Sequence, residues 1–366
     1  MQPEKRTNTA AHQDKGTLWR VIDRESAELH PAYFALVMAT GIVSIAAKLE
    51  NMSGIAGLLF ILNIFFYGAL WVLTLVRLIR NFPRVAADLT SHERGHGFLT
   101  VIAGSSVLGR QFHVIADNPK IAAILWLLGL ILWFILMYAF IAAVTVRDPK
   151  PPLENGLSGG WLLLVVSTQS ISVTGANIAD HFGIWAEPML FLTLATFLLG
   201  FMLYILVISL IFYRFTFLKF KPEEMTPPYW INMGAMAITT LAGSILILEA
   251  NRWAVIQDIL PFLKGITLFF WATATWWIPL LVILSVWRHV YKRIPLAYEP
   301  SYWGLVFPLG MYTACTYQFA KALELDFLLL IPRYFIFIAM LAWLAVFTGY
   351  IRQLKRKIFG RPVQGF

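Results

Sequence analysis

Uncharged apolar runs of membrane-spanning length recur along this chain, and they leave it only one kind of solvent. Residues 121–146 read IAAILWLLGLILWFILMYAFIAAVTV, without one Asp, Glu, Lys, Arg or His. About 20 such residues cross the hydrocarbon core of a bilayer as a helix. Comparable runs place ten spans at 31–47, 55–76, 97–112, 121–146, 160–179, 188–213, 229–248, 260–290, 301–320 and 328–351. With 59% hydrophobic and 13% charged residues, the composition lies outside the soluble-globular range. Lipid offers no hydrogen bonds, so each span must satisfy its own backbone, as a helix does. The expected fold is an all-α polytopic membrane protein.

The formal charge of +9 does not point to nucleic acid, because the basic residues sit in short loops between spans. All but seven of the 29 Lys and Arg fall on the side of the N-terminus. The seven are Lys48, Arg110, Lys120, Arg252, Lys264, Lys321 and Arg333. By the positive-inside rule both termini are cytoplasmic, in an inner or plasma membrane. The expected division is a cytoplasmic tail at 1–29, a ten-helix transmembrane domain at 30–352 and a basic tail at 353–366. Residues 18–22 at the end of the first tail have the composition of an interfacial segment. Cys315 is the only cysteine, which excludes an intramolecular disulfide and any multi-Cys metal site.

The spans alternate in character. Even-numbered ones are long and rich in Leu, Ile, Phe and Trp. Odd-numbered ones are shorter and hold the small and hydroxyl residues: Thr40, Gly41 and Ser44; Gly104, Ser105, Ser106 and Gly109; Ser167, Thr168, Gln169, Ser170, Ser172, Thr174 and Gly175; Thr239, Thr240, Gly243 and Ser244; Gly310, Thr313 and Thr316. Five hairpins of about 65 residues thus form a repeat at the level of pattern. The economical arrangement is a ring of odd helices with even helices outside, against lipid. Small residues also permit close helix packing, their commonest role in membranes. A ring of five tends to leave an axial hole, so the expected lining is Thr40, Gly41, Ser44, Gly104, Ser105, Gly109, Ser167, Thr168, Ser172, Gly175, Thr240, Gly243, Gly310 and Thr313.

No acid or base lies in the middle of any odd span. Proton relays and cation channels usually show intramembrane acids. A neutral path with basic residues at its cytoplasmic mouth is compatible with anions. Arg110, Gln111 and His113 end the third span on the outer side, where they either concentrate anions in an outer vestibule or anchor the helix by snorkelling.

One enzyme signature is present: His92-Glu93-Arg94-Gly95-His96 matches H-E-x-x-H. On a helix the two imidazoles face one way and hold zinc, with the Glu as general base. Gly95 weakens a helix there, Arg94 stands between the ligands, and a third ligand is wanting. No enzyme activity, metal or organic cofactor is expected.

Four stretches carry a resemblance: HPAYFALVMATGIVSIA (30–46), GFLTVIAGSSVLGRQF (97–112), WLLLVVSTQSISVTGA (161–176) and YWGLVFPLGMYTACTYQFA (302–320). They resemble the tellurite-resistance/dicarboxylate transporter family. That family includes TehA-type bacterial proteins, plant slow anion channels, and fungal malic-acid and sulfite permeases. The resemblance implies five hairpins in a quasi-fivefold ring around a central pore, a homotrimer with one pore per subunit, and a Phe plugging each pore. The FPLG context maps that gate onto Phe307, followed by a helix-kinking Pro308. It further implies small anions as permeants, mono- or dicarboxylates such as malate ahead of sulfite, nitrate or chloride. Sulfite efflux or tellurite resistance is the alternative, and the wording VFPLGMYTACTY is closest to the malate and sulfite permease branch.

Overall fold

The structure is a computed structural model that describes residues 23–359, with side chains as far as Arg356. The interfacial segment expected at 18–22 and the end of the C-terminal tail lie outside the described residues. Among the described residues there are ten helices of 15 residues or more and no strand. They are α1 (Ala35–Leu49), α2 (Ser53–Arg80), α3 (Thr100–Val114), α4 (Pro119–Val146), α5 (Leu163–Ile178), α6 (Ala186–Phe217), α7 (Ile231–Leu248), α8 (Leu260–Val286), α9 (Trp303–Leu323) and α10 (Leu330–Phe359). Each coincides with an expected span. Helix α10 continues through the basic run Arg352–Arg356.

Sequential helices pair as antiparallel hairpins, α1 with α2 through α9 with α10. The odd helices also touch one another in a closed cycle: α1 meets α3, α3 meets α5, α5 meets α7, α7 meets α9, and α9 returns to α1. Each even helix leans on the next odd helix as well, and α10 closes the set against α1. Burial follows this order. The apolar windows around α1 and α7 are 78% and 94% buried, against 22% for α2 and 28% for α4, α8 and α10. Odd helices form the interior, and the Leu, Ile and Phe of the even helices face outward, as lipid requires.

Length and composition alone identify seven membrane-spanning segments, one of which, Gly159–Phe217, holds both α5 and α6. Eight of the ten helices fall within them. The two that do not are α3 and α9, the helices that carry Arg110 and Phe307. Both are enclosed by four other long helices, so contact with lipid need not hold them in place.

Each odd helix is entered through a short 3₁₀ turn: Pro31–Phe34, Gly95–Leu99, Gly159–Leu162, Pro227–Trp230 and Pro300–Tyr302. Pro suits this position because its fixed φ starts a helix and its missing N–H needs no partner. Where Gly opens the turn, it allows backbones to approach. A Cβ at Gly97 would sit 2.9 Å from Ala32 N, and one at Gly159 would sit 2.5 Å from Pro228 O. The five turns form a second closed cycle stacked on the first.

Buried arginines tie these turns to the outer helices. Arg214 of α6 donates to Leu157 O and the Tyr229 hydroxyl and pairs with Glu224 at 3.1 Å. Arg77 of α2 pairs with Asp88, which also holds Arg94 at 2.9 Å. Asp88 lies on a short helix, Phe82–Leu89, that apolar run length does not reveal.

Candidate functional site

Two cavities lie along the axis of the odd helices. The larger, about 370 Å³, is enclosed by the five entry turns and the first residues of the helices. Its wall includes His30, His96, Ser158, Thr226 and Ser301, and it ends on Met38, Leu163, Ile231, Gly304 and Phe307. The smaller, about 10 Å³, is also lined from all five odd helices, by Ile42 and Ile45, Ser106, Val107 and Arg110, Ser170, Val173 and Thr174, Ile238 and Leu241, and Met311. On α9 the residues run Gly304 and Phe307 against the first cavity, then Met311 against the second. The Phe307 ring, 1% exposed, therefore stands between them. Pro308 follows it inside an unbroken helix and has no N–H to give to Gly304 O, one turn back. Its ring rests on α7 at Gly234, where a Cβ would come within 2.7 Å of Pro308 Cγ.

Most of the lining expected from hydroxyl and glycine content points elsewhere. Thr40 accepts from Trp343 Nε1 of α10 at 3.0 Å, and Ser44 donates to Ala56 O of α2 at 2.7 Å. Ser105 shares a hydrogen bond with Tyr67 of α2. Thr168 accepts from Trp133 Nε1 of α4 at 2.9 Å, and Ser172 donates to Thr193 O of α6 at 2.8 Å. Gly109, Gly175 and Gly243 face even-helix side chains or backbone, Gly41 lies against Val107 and Gln111 of α3 and Asn63 of α2, Gly104 lies against Phe34, and Gly310 lies against Ile42 and Val43. Thr240 and Thr313 donate to carbonyls of their own helices, Met236 O and Leu309 O. Ser167 shares the α5 face of Leu163 and Ser170 and is turned to the axis by register. The reason for the correction is hydrogen-bond supply. A buried hydroxyl needs a partner, and the even helices offer indole N–H groups and carbonyls that the axis does not. Of the expected set, Phe307 and Arg110 line an axial cavity.

Thr40→Val and Thr168→Val accordingly lower stability without altering anion selectivity. Each loses one interhelical hydrogen bond, worth about 0.6–1.7 kcal/mol in a membrane protein. Thermal unfolding in detergent and flux selectivity in liposomes read the two effects separately; a change of selectivity with unchanged stability would contradict the packing role.

Among the described residues no Lys or Arg lines the larger cavity, so they do not make its wall the expected basic mouth. Arg77, Arg214 and Arg288 are instead bound to loop groups. Two imidazoles and two exposed carboxylates, Glu93 and Glu299, stand there. Burial pushes the pKa of His96 down to about 3, with the charge of His30 adding to the effect. Burial also pushes His30 to about 4, helped by Arg94. Both are neutral at pH 7. An unfolded imidazole titrates near 6.5, so the unfolded state takes up protons first as pH falls. The associated stability is complete above about pH 6.5 and is lost progressively toward pH 4. The unfolding temperature should fall between pH 7 and pH 5, and His96→Gln should flatten that fall; an unchanged slope would refute the assignment.

The H-E-x-x-H segment does not form an α-helix. Residues 92–94 are turns and Gly95 opens the 3₁₀ entry turn of α3. His92 packs beside Trp161 at 6.0 Å, whereas His96 sits beneath Phe140 with Nε2 3.5 Å from Ser158 Oγ. No three His, Cys, Asp or Glu side chains among the described residues gather to hold a metal.

At the other end of α3, Arg110 is 4% exposed and faces the small cavity. It does not snorkel to a surface. Gln111 turns to α2, where its Oε1 accepts from Asn63 at 2.6 Å. His113, half-buried, lies 6.3 Å from the ring of His181 and lines neither axial cavity. Sequence reasoning singled out Arg110 but not Met38, Ile42, Ile238 or Met311, because aliphatic residues carry no polar signal.

A family model matches nearly the whole of this helical chain. Residues 28–351 match the model described as voltage-dependent anion channel. The chain belongs to the voltage-dependent anion channel family. This is the family of transporters and channels that the four sequence stretches resemble, and its members carry solutes across membranes. Two uncharacterized transporters of Methanocaldococcus jannaschii are each 27% identical to the chain. One match covers 79% of this chain and 84% of that transporter, the other 80% and 83%. An uncharacterized membrane protein of Mycobacterium tuberculosis is 38% identical over 157 residues, which is 43% of this chain and 79% of that protein. As a member of the voltage-dependent anion channel family, the chain is a membrane protein of anion transport.

Proposed function

We propose that this protein moves small anions along the axis of its odd helices and that Phe307 is the gate. The observation that carries the reading is the position of Phe307, buried between two cavities that all five odd helices line. The electrostatics support it. Five helix N-termini surround the larger cavity, and their dipoles favour negative charge. Glu93 and Glu299 oppose this from exposed positions, where solvent screens them.

Mono- and dicarboxylates such as malate are the first candidates for the permeant, ahead of sulfite, nitrate and chloride. Sulfite efflux or tellurite resistance is the second reading; the wording of α9, similar to the malate and sulfite permease branch, fits both. The protein works as a homotrimer with one pore per subunit, in an inner or plasma membrane, with both termini and the larger cavity on the cytoplasmic side. It uses no cofactor and catalyses no reaction. The test is flux of an anion panel into liposomes holding wild type or Phe307→Ala. Anion flux that rises in the variant, with cations excluded, supports the reading; cation flux of equal size sinks it.

A further inference from the structure

Among the described residues, Arg110 is a buried cation without a partner. Its Nε and Nη1 make no hydrogen bond, and no carboxylate lines the cavity it faces. One turn earlier, Ser106 also lines this cavity, but its Oγ, buried and unpartnered, lies beside Gly129 of α4 and leaves the guanidinium as the free donor there. Ser170 and Thr174, across the cavity, have already given their hydroxyl protons to Ser167 O and Ser106 O. The remaining wall is mainly aliphatic, with Ile42, Ile45, Ile238 and Leu241. A structural arginine would spend its donors on carbonyls, as Arg214 does. An unpaired buried charge is costly, and the cost is relieved by a counter-charge at the same place.

We propose that Arg110 forms a dehydrating site for one small, singly charged anion, on the far side of Phe307 from the larger cavity. The proposal rests on the anion-path reading above. The guanidinium only donates, so the ligand is an acceptor held by charge-assisted hydrogen bonds. One guanidinium balances one negative charge, and a second would stand bare among aliphatic side chains. The volume, about 10 Å³, is that of roughly one water-sized guest. It suits a halide, nitrate or a single carboxylate group stripped of its hydration shell. A dicarboxylic acid such as malate would then pass as its monoanion, with one carboxyl protonated.

Nitrate is the probe. In the Phe307→Ala background, adding Arg110→Gln should raise the half-saturating nitrate concentration about ten- to a hundredfold, the loss expected for charge-assisted hydrogen bonds. Arg110→Lys should raise it less. Nitrate, but not gluconate, should also raise the unfolding temperature of the otherwise wild-type protein in detergent, and this shift should vanish in Arg110→Gln. Unchanged saturation with an unchanged nitrate shift overturns the site while leaving the path intact. A Phe307→Ala protein that carries no anion overturns the path and the site with it. Should Arg110→Gln fail to fold, the nitrate shift in Arg110→Lys decides: a smaller shift supports the site, and one equal to wild type overturns it.

Discussion

Replacing Phe307 by Ala should raise anion flux in liposomes on the order of tenfold or more, as though about 1.4 kcal/mol were removed from the barrier. The phenyl ring is the largest side chain at the floor of the larger cavity, where its neighbours are Met38, Leu163 and Ile231. Among the described residues no Trp, Tyr or second Phe lines either axial cavity, so none can take its place. Phe307→Leu, which keeps an apolar but smaller group, should fall between. The substitution also removes packing, and Phe→Ala in a core costs about 3–5 kcal/mol. Gel filtration and thermal unfolding must therefore accompany the flux measurement. Unchanged flux from folded protein would remove Phe307 from the gate.

Arg214→Met should destabilise the protein by about 3 kcal/mol, the low end of the cost of breaking a buried pair from one side. Arg214 is 4% exposed and holds three groups at once: Leu157 O before the α5 entry turn, the Tyr229 hydroxyl within the α7 entry turn, and Glu224. Its guanidinium also lies 5.3 Å from the Phe220 ring centre. The methionine fills the space but leaves a buried carbonyl and hydroxyl without that donor. Glu224 is 31% exposed and is partly solvated, which is why the higher figure is not expected. Arg214→Lys keeps the charge without the fork and should recover less than half of the loss. Thermal unfolding in detergent measures both; a stability equal to wild type in Arg214→Met would show that the turns are held by other contacts.

The helices were legible because lipid imposes one length and one backbone solution, and the alternation of Leu-rich with Ser- and Gly-rich spans separated outer from inner. The direction of each polar side chain was not. Thr40, Ser44 and Ser172 are in inner helices as expected, yet their hydroxyls turn outward to Trp343, Ala56 and Thr193. Which carbonyl or indole lies within reach depends on the rotation of two helices, and spacing within one helix does not contain it. Arg110 was visible as the basic residue closing an uncharged span, but whether it reached the surface or the axis again depended on helix rotation. The entry turns did leave a signal in Pro31, Gly159-Gly160, Pro227-Pro228 and Pro300. Reading each as a span boundary concealed that the five form a set. The H-E-x-x-H match failed for the opposite reason: Gly95 and Gly97 belong to that set, and their turn cannot present two histidines on one helical face.

The closure between the first hairpin and the last has a consequence for synthesis. A chain made from its N-terminus completes α1, α3, α5 and α7 before α9 exists, so the assembly stays open along one side until then. The helix that seals the wall is the same one that brings Phe307 and its Pro308. With Phe307 as the proposed gate, enclosure and obstruction arrive in a single insertion event, and a nascent subunit need never expose an unplugged conduit to the membrane that is receiving it.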